Sequence, residues 1–236
     1  MLLVAAVALA IVISAVLTRD SLRAAAYRAD VPRVLLEEPL NGSENAATRA
    51  SPDGKFGTSS ATESDVNIAP FVPAQIFIPD AEVNTRVTAA PSSTRYNPFL
   101  GRDVLTFPVP DDAFSTVWWD EGPMPGEAEL AIILGHARTP RTAVFNDVPR
   151  LEEAATVGLT GRTLDGQEVT ARYQVDLVVT GISKTDADAL RAVLDNPPHG
   201  ATLALITCSG VVDEVLSSRV DNTVVFASLT GMFPGH

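Results

Sequence analysis

The sequence has 236 residues, of which 17 are Lys or Arg and 29 are Asp or Glu, so its formal net charge at pH 7 is −12. A nucleic-acid-binding surface needs clustered basic residues, and this balance argues against one. The single cysteine excludes an intrachain disulfide, and three histidines with one cysteine show no paired ligand spacing such as C-x-x-C, so we predict neither a metal site nor a cofactor.

The first segment, residues 2–17, is an uncharged apolar run, LLVAAVALAIVISAVL, in which Ser14 is the single polar residue. As a helix it would reach roughly 24 Å, short of the ~30 Å hydrocarbon thickness of a bilayer. A signal anchor and the apolar part of a cleaved secretion signal both fit, and a buried core helix fits less well because its neighbours offer nothing to pack against. Basic residues follow the run instead of preceding it, against the positive-inside tendency.

We therefore predict that residues 1–18 are an N-terminal signal anchor or transmembrane segment. The protein would then lie in the cell membrane as a single-pass protein with its remaining domain outside the cytoplasm. Residues 19–66 are rich in Ser, Thr, Asn, Ala and Gly and show no helical or alternating period, which predicts a flexible extracytoplasmic linker.

Residues 67–236 have the composition of a folded domain. Short runs rich in Val, Ile, Leu, Thr and Phe, bounded by turn residues, predict strands within 72–91, 103–110, 129–137, 168–183, 201–208 and 222–229. A helix is predicted at 186–196 with Asp186 as its cap, and a short one at 143–154 broken at Pro149. Strands this short must close or stack to bury one face, so the prediction is a mainly β barrel or sandwich.

The cysteine stands where an apolar run ends, in ATLALITCSG (201–210), a position where a fold displays a side chain. His136 ends the similar run LAIILGH, whereas His199 lies in the turn NPPHG and His236 is the last residue. A thiolate is a nucleophile and an imidazole an acid–base group, so Cys208 and His136 are the predicted catalytic pair.

Acyl transfer also needs positive charge or hydrogen-bond donors near the developing oxyanion. Arg219, 11 residues after Cys208 and just before the last predicted strand, is our candidate, since a loop of that length can return it to the thiol. Arg138 and Arg141, close to His136, are its rivals.

These residues resemble the signatures of the sortases, membrane-anchored cysteine transpeptidases of Gram-positive bacteria. Ala204-Leu205-Ile206-Thr207-Cys208 is similar to the family's T-L-x-T-C, with Ala for the first Thr. Leu134-Gly135-His136 followed by TAVFNDVPRL is similar to the histidine signature and its G-x-A-V-F-x-x-L. The stretches at 73–79, 117–136 and 221–229 add to a collinear resemblance over roughly residues 70–232, nearest to class F, with class E close by.

The resemblance implies an eight-stranded β-barrel with a few short helices and a reaction on an LPxTG-type sorting signal. Cys208 would attack the Thr–Gly carbonyl, His136 would protonate the leaving glycine amine, and an arginine would bind the oxyanion or hold the peptide. An amine of the cell envelope, such as a peptidoglycan precursor, would then resolve the thioacyl enzyme.

The sequence departs from the resemblance at three places. Arg138-Thr139 stand where class F chains often carry Asp-Ser, and ATVGLTG (155–161) stands where the family often has Gly-Asp before a strand. Related chains tend to place an aromatic residue or an arginine in the two positions before Asp-Asn, here Arg219 and Val220, so the register of the arginine stays open.

Two further residues are predicted to contact substrate. Trp118 and Trp119 alternate along a strand, so one is expected in the core and the other, taken as Trp119, along a peptide groove. Thr207 is expected to shape the oxyanion site, although a purely strand-forming role explains it equally well.

Two other functions compete with the sorting enzyme. One is a catalytically inactive envelope domain that binds a peptide through its β structure, with an incidental thiol. The other is an L,D-transpeptidase, but the S-H-G-C-type signature of those enzymes is absent from this sequence.

Overall fold

The computed structural model describes residues 69–138 and 142–235. The predicted anchor at 1–18, the linker at 19–66, and Thr139, Arg141 and His236 lie outside these ranges. Within them, no helix is long and apolar enough to cross a membrane.

Among the described residues, eight strands close into a barrel in the order β1-β2-β5-β6-β9-β10-β8-β7, and β3 and β4 form a separate hairpin. The strands are β1 (Phe71–Ile78), β2 (Val83–Ala90), β3 (Ser93–Asn97), β4 (Arg102–Thr106), β5 (Thr116–Trp119), β6 (Ala131–Gly135), β7 (Thr156–Thr163), β8 (Glu168–Ser183), β9 (Ala201–Asp213) and β10 (Ser218–Pro234). The pairs β2/β5 and β6/β9 are parallel, and the other ladders are antiparallel. The mainly β, eight-stranded barrel predicted from the sequence is confirmed.

The helices are few and short, as expected, but they are shorter than predicted. A 3-10 helix covers Pro79–Ala81, a second covers Val148–Arg150, and the α-helix α1 covers Ala189–Leu194. The prediction of Asp186 as the helix cap is wrong, because α1 begins at Ala189 and its N-cap residue is Asp188. The Asp186 carboxylate accepts the N–H of Asp188 at 3.0 Å in the turn before α1.

The predicted helix at 143–154 is reduced to the single 3-10 turn. The N–H of Val144 donates to the Ala113 carbonyl at 2.8 Å, and the N–H of Phe145 donates to the His136 carbonyl at 2.8 Å. The internal bonds of the segment join residues three apart, Asn146 to Ala143 at 3.2 Å and Arg150 to Asp147 at 2.9 Å, which is the pattern of turns and of a 3-10 helix and not of an α-helix.

Barrel closure depends on β7, which the strand prediction omitted. Its Val157 and Leu159 are fully buried, and it pairs with β1 on one side and β8 on the other. A Cβ at Gly161 would lie 2.1 Å from the Val72 carbonyl oxygen, so the glycine lets the β1 backbone approach closely.

The central strands β6 and β9 are buried on both faces. Leu203 and Leu205 of β9 pack in the barrel interior, whereas Ala204 and Ile206 pack in a second cluster on the outside. Leu190, Val193 and Leu194 of α1 contribute to that outer cluster. Since side chains alternate along a strand, Cys208 continues the outer row of β9.

Candidate active site

His136 directly follows β6, and Cys208 lies in the neighbouring strand β9. The parallel β6/β9 ladder pairs Ala131 with Leu203 and continues to Leu134 with Ile206. Extended by two residues, this register sets His136 beside Cys208, on strands that lie ~4.8 Å apart. Ile132 and Leu134 of β6 pack with the outer cluster, so the alternation carries His136 to the same outer face as the thiol.

The ends of the two strands are joined by Thr207. Its side chain is 3% exposed, and its hydroxyl donates to the Gly135 carbonyl at 2.9 Å. The residues before the cysteine and before the histidine are thus connected directly, which fixes the relative position of the two strand tips.

A cavity of about 740 Å³ opens on this outer face and is lined by both Cys208 and His136. Its floor includes Ile132 and Ile206 of the outer cluster. It is also lined by α1 with the turn before it, and by the β3–β4 hairpin with the segment that follows it. The volume and apolar lining are those of a binding cleft.

His136 is held by a backbone carbonyl. Its Nε2 lies 2.9 Å from the Pro110 carbonyl oxygen, which can only accept, so Nε2 carries the proton of this hydrogen bond. Burial lowers the pKa of His136 below its ordinary value, the hydrogen bond to Pro110 opposes this shift, and the charge of Arg138 adds to it. In the neutral ring Nδ1 is then the nitrogen that can accept a proton.

The structure separates the two tryptophans as the alternation predicted. Trp118 is buried in the core, whereas Trp119 lines the cavity. Trp119 meets the Phe107 ring edge-on at 5.0 Å between centroids, and its Nε1 donates to the Ser92 hydroxyl at 2.9 Å. Its contact with substrate stays a prediction.

Arg219 lies within β10, not in the loop that the sequence suggested. It pairs with Val212 in a β9–β10 hairpin that extends well past the cysteine. Its guanidinium donates to the Gly210 carbonyl at 2.7 Å, and the residue does not line the cavity. Its predicted role at the oxyanion stays a prediction.

A cation that the sequence analysis did not select does reach the sulfur. The Nζ of Lys184 lies 3.2 Å from the Cys208 Sγ, and Lys184 lines the same cavity. In the sequence it stands in the turn-like stretch SKTD, where a lysine is usually a surface residue, so no local signal marked it.

The fold and the site together define a β-barrel protein that presents a cysteine–histidine pair in an open groove. A family model described as Sortase domain matches residues 76–230. The chain therefore belongs to the sortase family, whose members are cysteine transpeptidases. Its assignment to class F or class E stays a prediction.

Solved structures of similar fold are sortases. Sortase A from Corynebacterium diphtheriae matches with 18% identity over 71% of this chain and 64% of that chain, at a TM-score of 0.44, so the match spans less than two thirds of that protein. Sortase A of Listeria monocytogenes matches with 17% identity over 70% of this chain and 91% of that one, at a TM-score of 0.45. The SrtA sortase from Actinomyces oris matches with 14% identity over 72% of this chain and 89% of that one, at a TM-score of 0.48. A search of curated proteins gave no match.

Proposed function

We propose that this protein is an exported cysteine transpeptidase that cleaves an LPxTG-type sorting signal between Thr and Gly and transfers the protein, through the carbonyl group of that Thr, to an amine of the cell envelope. The observation that carries the proposal is that both Cys208 and His136 line one cavity, where the register of the parallel strands β6 and β9, extended by two residues, sets them side by side. Membership of the sortase family supports the substrate class.

The first half-reaction forms a thioester. The Cys208 thiolate attacks the threonine carbonyl carbon, the carbonyl electrons move onto oxygen, and the C–N bond to glycine breaks as the tetrahedral intermediate collapses. His136, protonated on both ring nitrogens, gives a proton to the departing amine, which leaves as a neutral group.

The second half-reaction releases the product. A neutral amine attacks the thioester, His136 takes the proton that the amine loses, and the C–S bond breaks to restore the thiolate. The acceptor is proposed to be an amine of a peptidoglycan precursor or of another envelope component, since the family joins proteins to such groups.

Turnover of a fluorogenic LPxTG peptide in the presence of a short glycine peptide tests this function. We expect Cys208→Ala to abolish cleavage and His136→Ala to reduce kcat by about 100-fold or more, because general acid catalysis contributes on that order. His199→Ala is the matched control, since His199 is exposed in a turn outside the cavity, and it should keep full activity.

Cleavage that survives in Cys208→Ala would refute the proposal. Binding of the peptide by the unaltered protein, with neither cleavage nor amine transfer, would instead favour the catalytically inactive peptide-binding domain.

We also propose that residues 1–18 keep the protein in the membrane with its barrel outside the cytoplasm. The support is the uncharged run at 2–17 in the sequence. In cells, the full chain should sediment with membranes and be digested by protease added outside, whereas a chain lacking residues 1–18 should do neither. A full-length chain recovered in the cytoplasmic fraction would contradict this localisation.

A further inference from the structure

Lys184 follows directly after β8, and its position is fixed by contacts on three sides. Its backbone N–H donates to the Val220 carbonyl at 3.0 Å, and its Nζ donates to the Arg219 carbonyl at 2.8 Å. The ammonium also lies 5.7 Å from the centre of the Phe99 ring, within the range of a cation–π contact. The lysine is therefore held in place before any substrate arrives.

The same ammonium donates to the sulfur of Cys208 at 3.2 Å. An ammonium has three protons, so bonds to the sulfur and to the Arg219 carbonyl use two of them without competition. A lysine beside a cysteine stabilises the anionic form of the sulfur, which is the form that attacks carbonyl groups.

Arg219 takes part in the surroundings of the lysine in two ways. Its guanidinium bonds to the Gly210 carbonyl, two residues beyond the thiol, and its own carbonyl receives the Lys184 ammonium. The side chain of the arginine thus binds the backbone of the β9–β10 hairpin, while its backbone helps to place the lysine.

We infer that Lys184 is a catalytic residue, the cation that stabilises the Cys208 thiolate. The inference rests on the proposed transpeptidase function and adds to it a residue outside the predicted cysteine, histidine and arginine set. The N–H···S bond is strongest when the sulfur carries its full charge. It therefore acts before attack on the peptide and again when the amine expels the sulfur from the thioester.

The test is alkylation of Cys208 by iodoacetamide in the full chain, which needs neither peptide nor amine. At about pH 7 we expect Lys184→Met to slow alkylation about tenfold, the size of effect that one charged hydrogen bond can produce. Lys184→Arg should restore most of the rate. Lys55→Met, which alters the other lysine of the sequence, is the matched control and should leave the rate unchanged.

If the role of Lys184 were purely structural, its substitution would change the melting temperature and not the alkylation rate. If Lys184 only joined β8 to β10, Lys184→Met would lower the melting temperature and leave the alkylation rate of the folded protein unchanged, and that result would overturn the inference. Lys184→Gln provides a second neutral variant should Lys184→Met not fold.

Arg219→Met decides between the two cations. Slow alkylation in Arg219→Met together with a normal rate in Lys184→Met would assign the role to Arg219 and refute the inference. Slow alkylation in Lys184→Met, combined with absent peptide cleavage by the unaltered protein, would leave the lysine's action on the sulfur intact and refute the transpeptidase function instead.

Discussion

The imidazole of His136 combines partial burial with a hydrogen bond from one nitrogen to a fixed carbonyl. Burial disfavours the charged ring and lowers its pKa, while the bond from Nε2 to the Pro110 carbonyl orients it. The neutral ring is therefore the major form at neutral pH, and it can accept the proton of the incoming amine through Nδ1. The protonated ring needed for the first half-reaction is the minor form.

The lowered pKa of His136 predicts how stability depends on pH. The unfolded chain takes up the histidine proton at a higher pH than the folded protein does, so the contribution of His136 is fully present above the ordinary pKa of about 6.5 and is lost as pH falls toward the folded value. His136→Gln should decline less in free energy of unfolding between about pH 7.5 and about pH 5 than the unaltered protein.

Urea unfolding at the two pH values measures this difference, and His199→Gln serves as its control because that histidine is exposed in a turn. An equal decline in His136→Gln and the unaltered protein would show that the folded ring is not harder to protonate than the unfolded one.

Strands β6 and β9 are held in register by a buried hydroxyl as well as by their backbone ladder. Thr207 donates to the Gly135 carbonyl, and directly opposite Thr207 on β10 lies Thr223, which is 0% exposed. Among the described residues the Thr223 hydroxyl has no hydrogen-bond partner. Thr207 and Thr223 therefore form a pair across the β9–β10 ladder in which, within the described part of the chain, the first hydroxyl has a hydrogen-bond partner and the second has none.

This difference predicts opposite effects of the same substitution. Thr207→Val should destabilise the fold by about 1–3 kcal/mol because it removes a buried hydrogen bond and leaves its acceptor without that donor. Thr223→Val should be neutral or stabilising by up to about 1 kcal/mol, because it removes a buried hydroxyl that has no partner. Urea denaturation at constant pH measures both, and equal losses in the two variants would contradict this account of the strand ends.

The local sequence pattern predicts the bounds of a strand correctly where most of that strand is buried or half-buried. Strand β8 has the predicted bounds, 168–183, because the segment is rich in β-branched and aromatic residues and alternates apolar with polar residues over 172–176. Strand β7 was omitted since its two glycines, Gly158 and Gly161, weaken any strand signal. The prediction omits the outer end of β9 because residues there, such as Val211 at 74% exposure, bury no face that a pattern could reveal.

The barrel as a whole brings the site together from segments that are distant in the chain. Parallel pairing of β6 with β9 needs a long crossover, and the chain supplies it through β7, β8 and α1. Lys184 lies in this crossover, directly after β8, and its ammonium contacts the Cys208 sulfur. The connection between β6 and β9 therefore also supplies the cation beside the thiol.

The candidate site was predictable only in part for this reason. Cys208 and His136 could be selected because each ends a similar apolar strand, a signal contained in its own local sequence. The contact between Lys184 and Cys208 joins residues 24 apart and depends on how β8 ends against β10, which no local pattern records. Arg219 was placed in a loop because the paired hairpin around it carries turn-like residues.

The cavity beside the thiol also depends on the whole arrangement. The β3–β4 hairpin lies outside the barrel ladder, yet it and the segment after it line part of the cleft. The Phe99 ring from its turn lies beside Lys184, and the Pro110 carbonyl from the following segment binds His136. One excursion from the barrel therefore contacts both groups that flank the thiol.

The central claim is that the sulfur of Cys208 forms a covalent acyl bond with a sorting peptide. The most direct measurement is intact-mass spectrometry of the full chain incubated with an LPxTG peptide without amine, followed by mapping of the modified residue. The account predicts a mass increase equal to the acyl fragment ending in threonine, located on Cys208, reversed by added amine and absent in Cys208→Ala. Peptide cleavage with no adduct on Cys208 under rapid quenching, or an adduct at another residue, would contradict it.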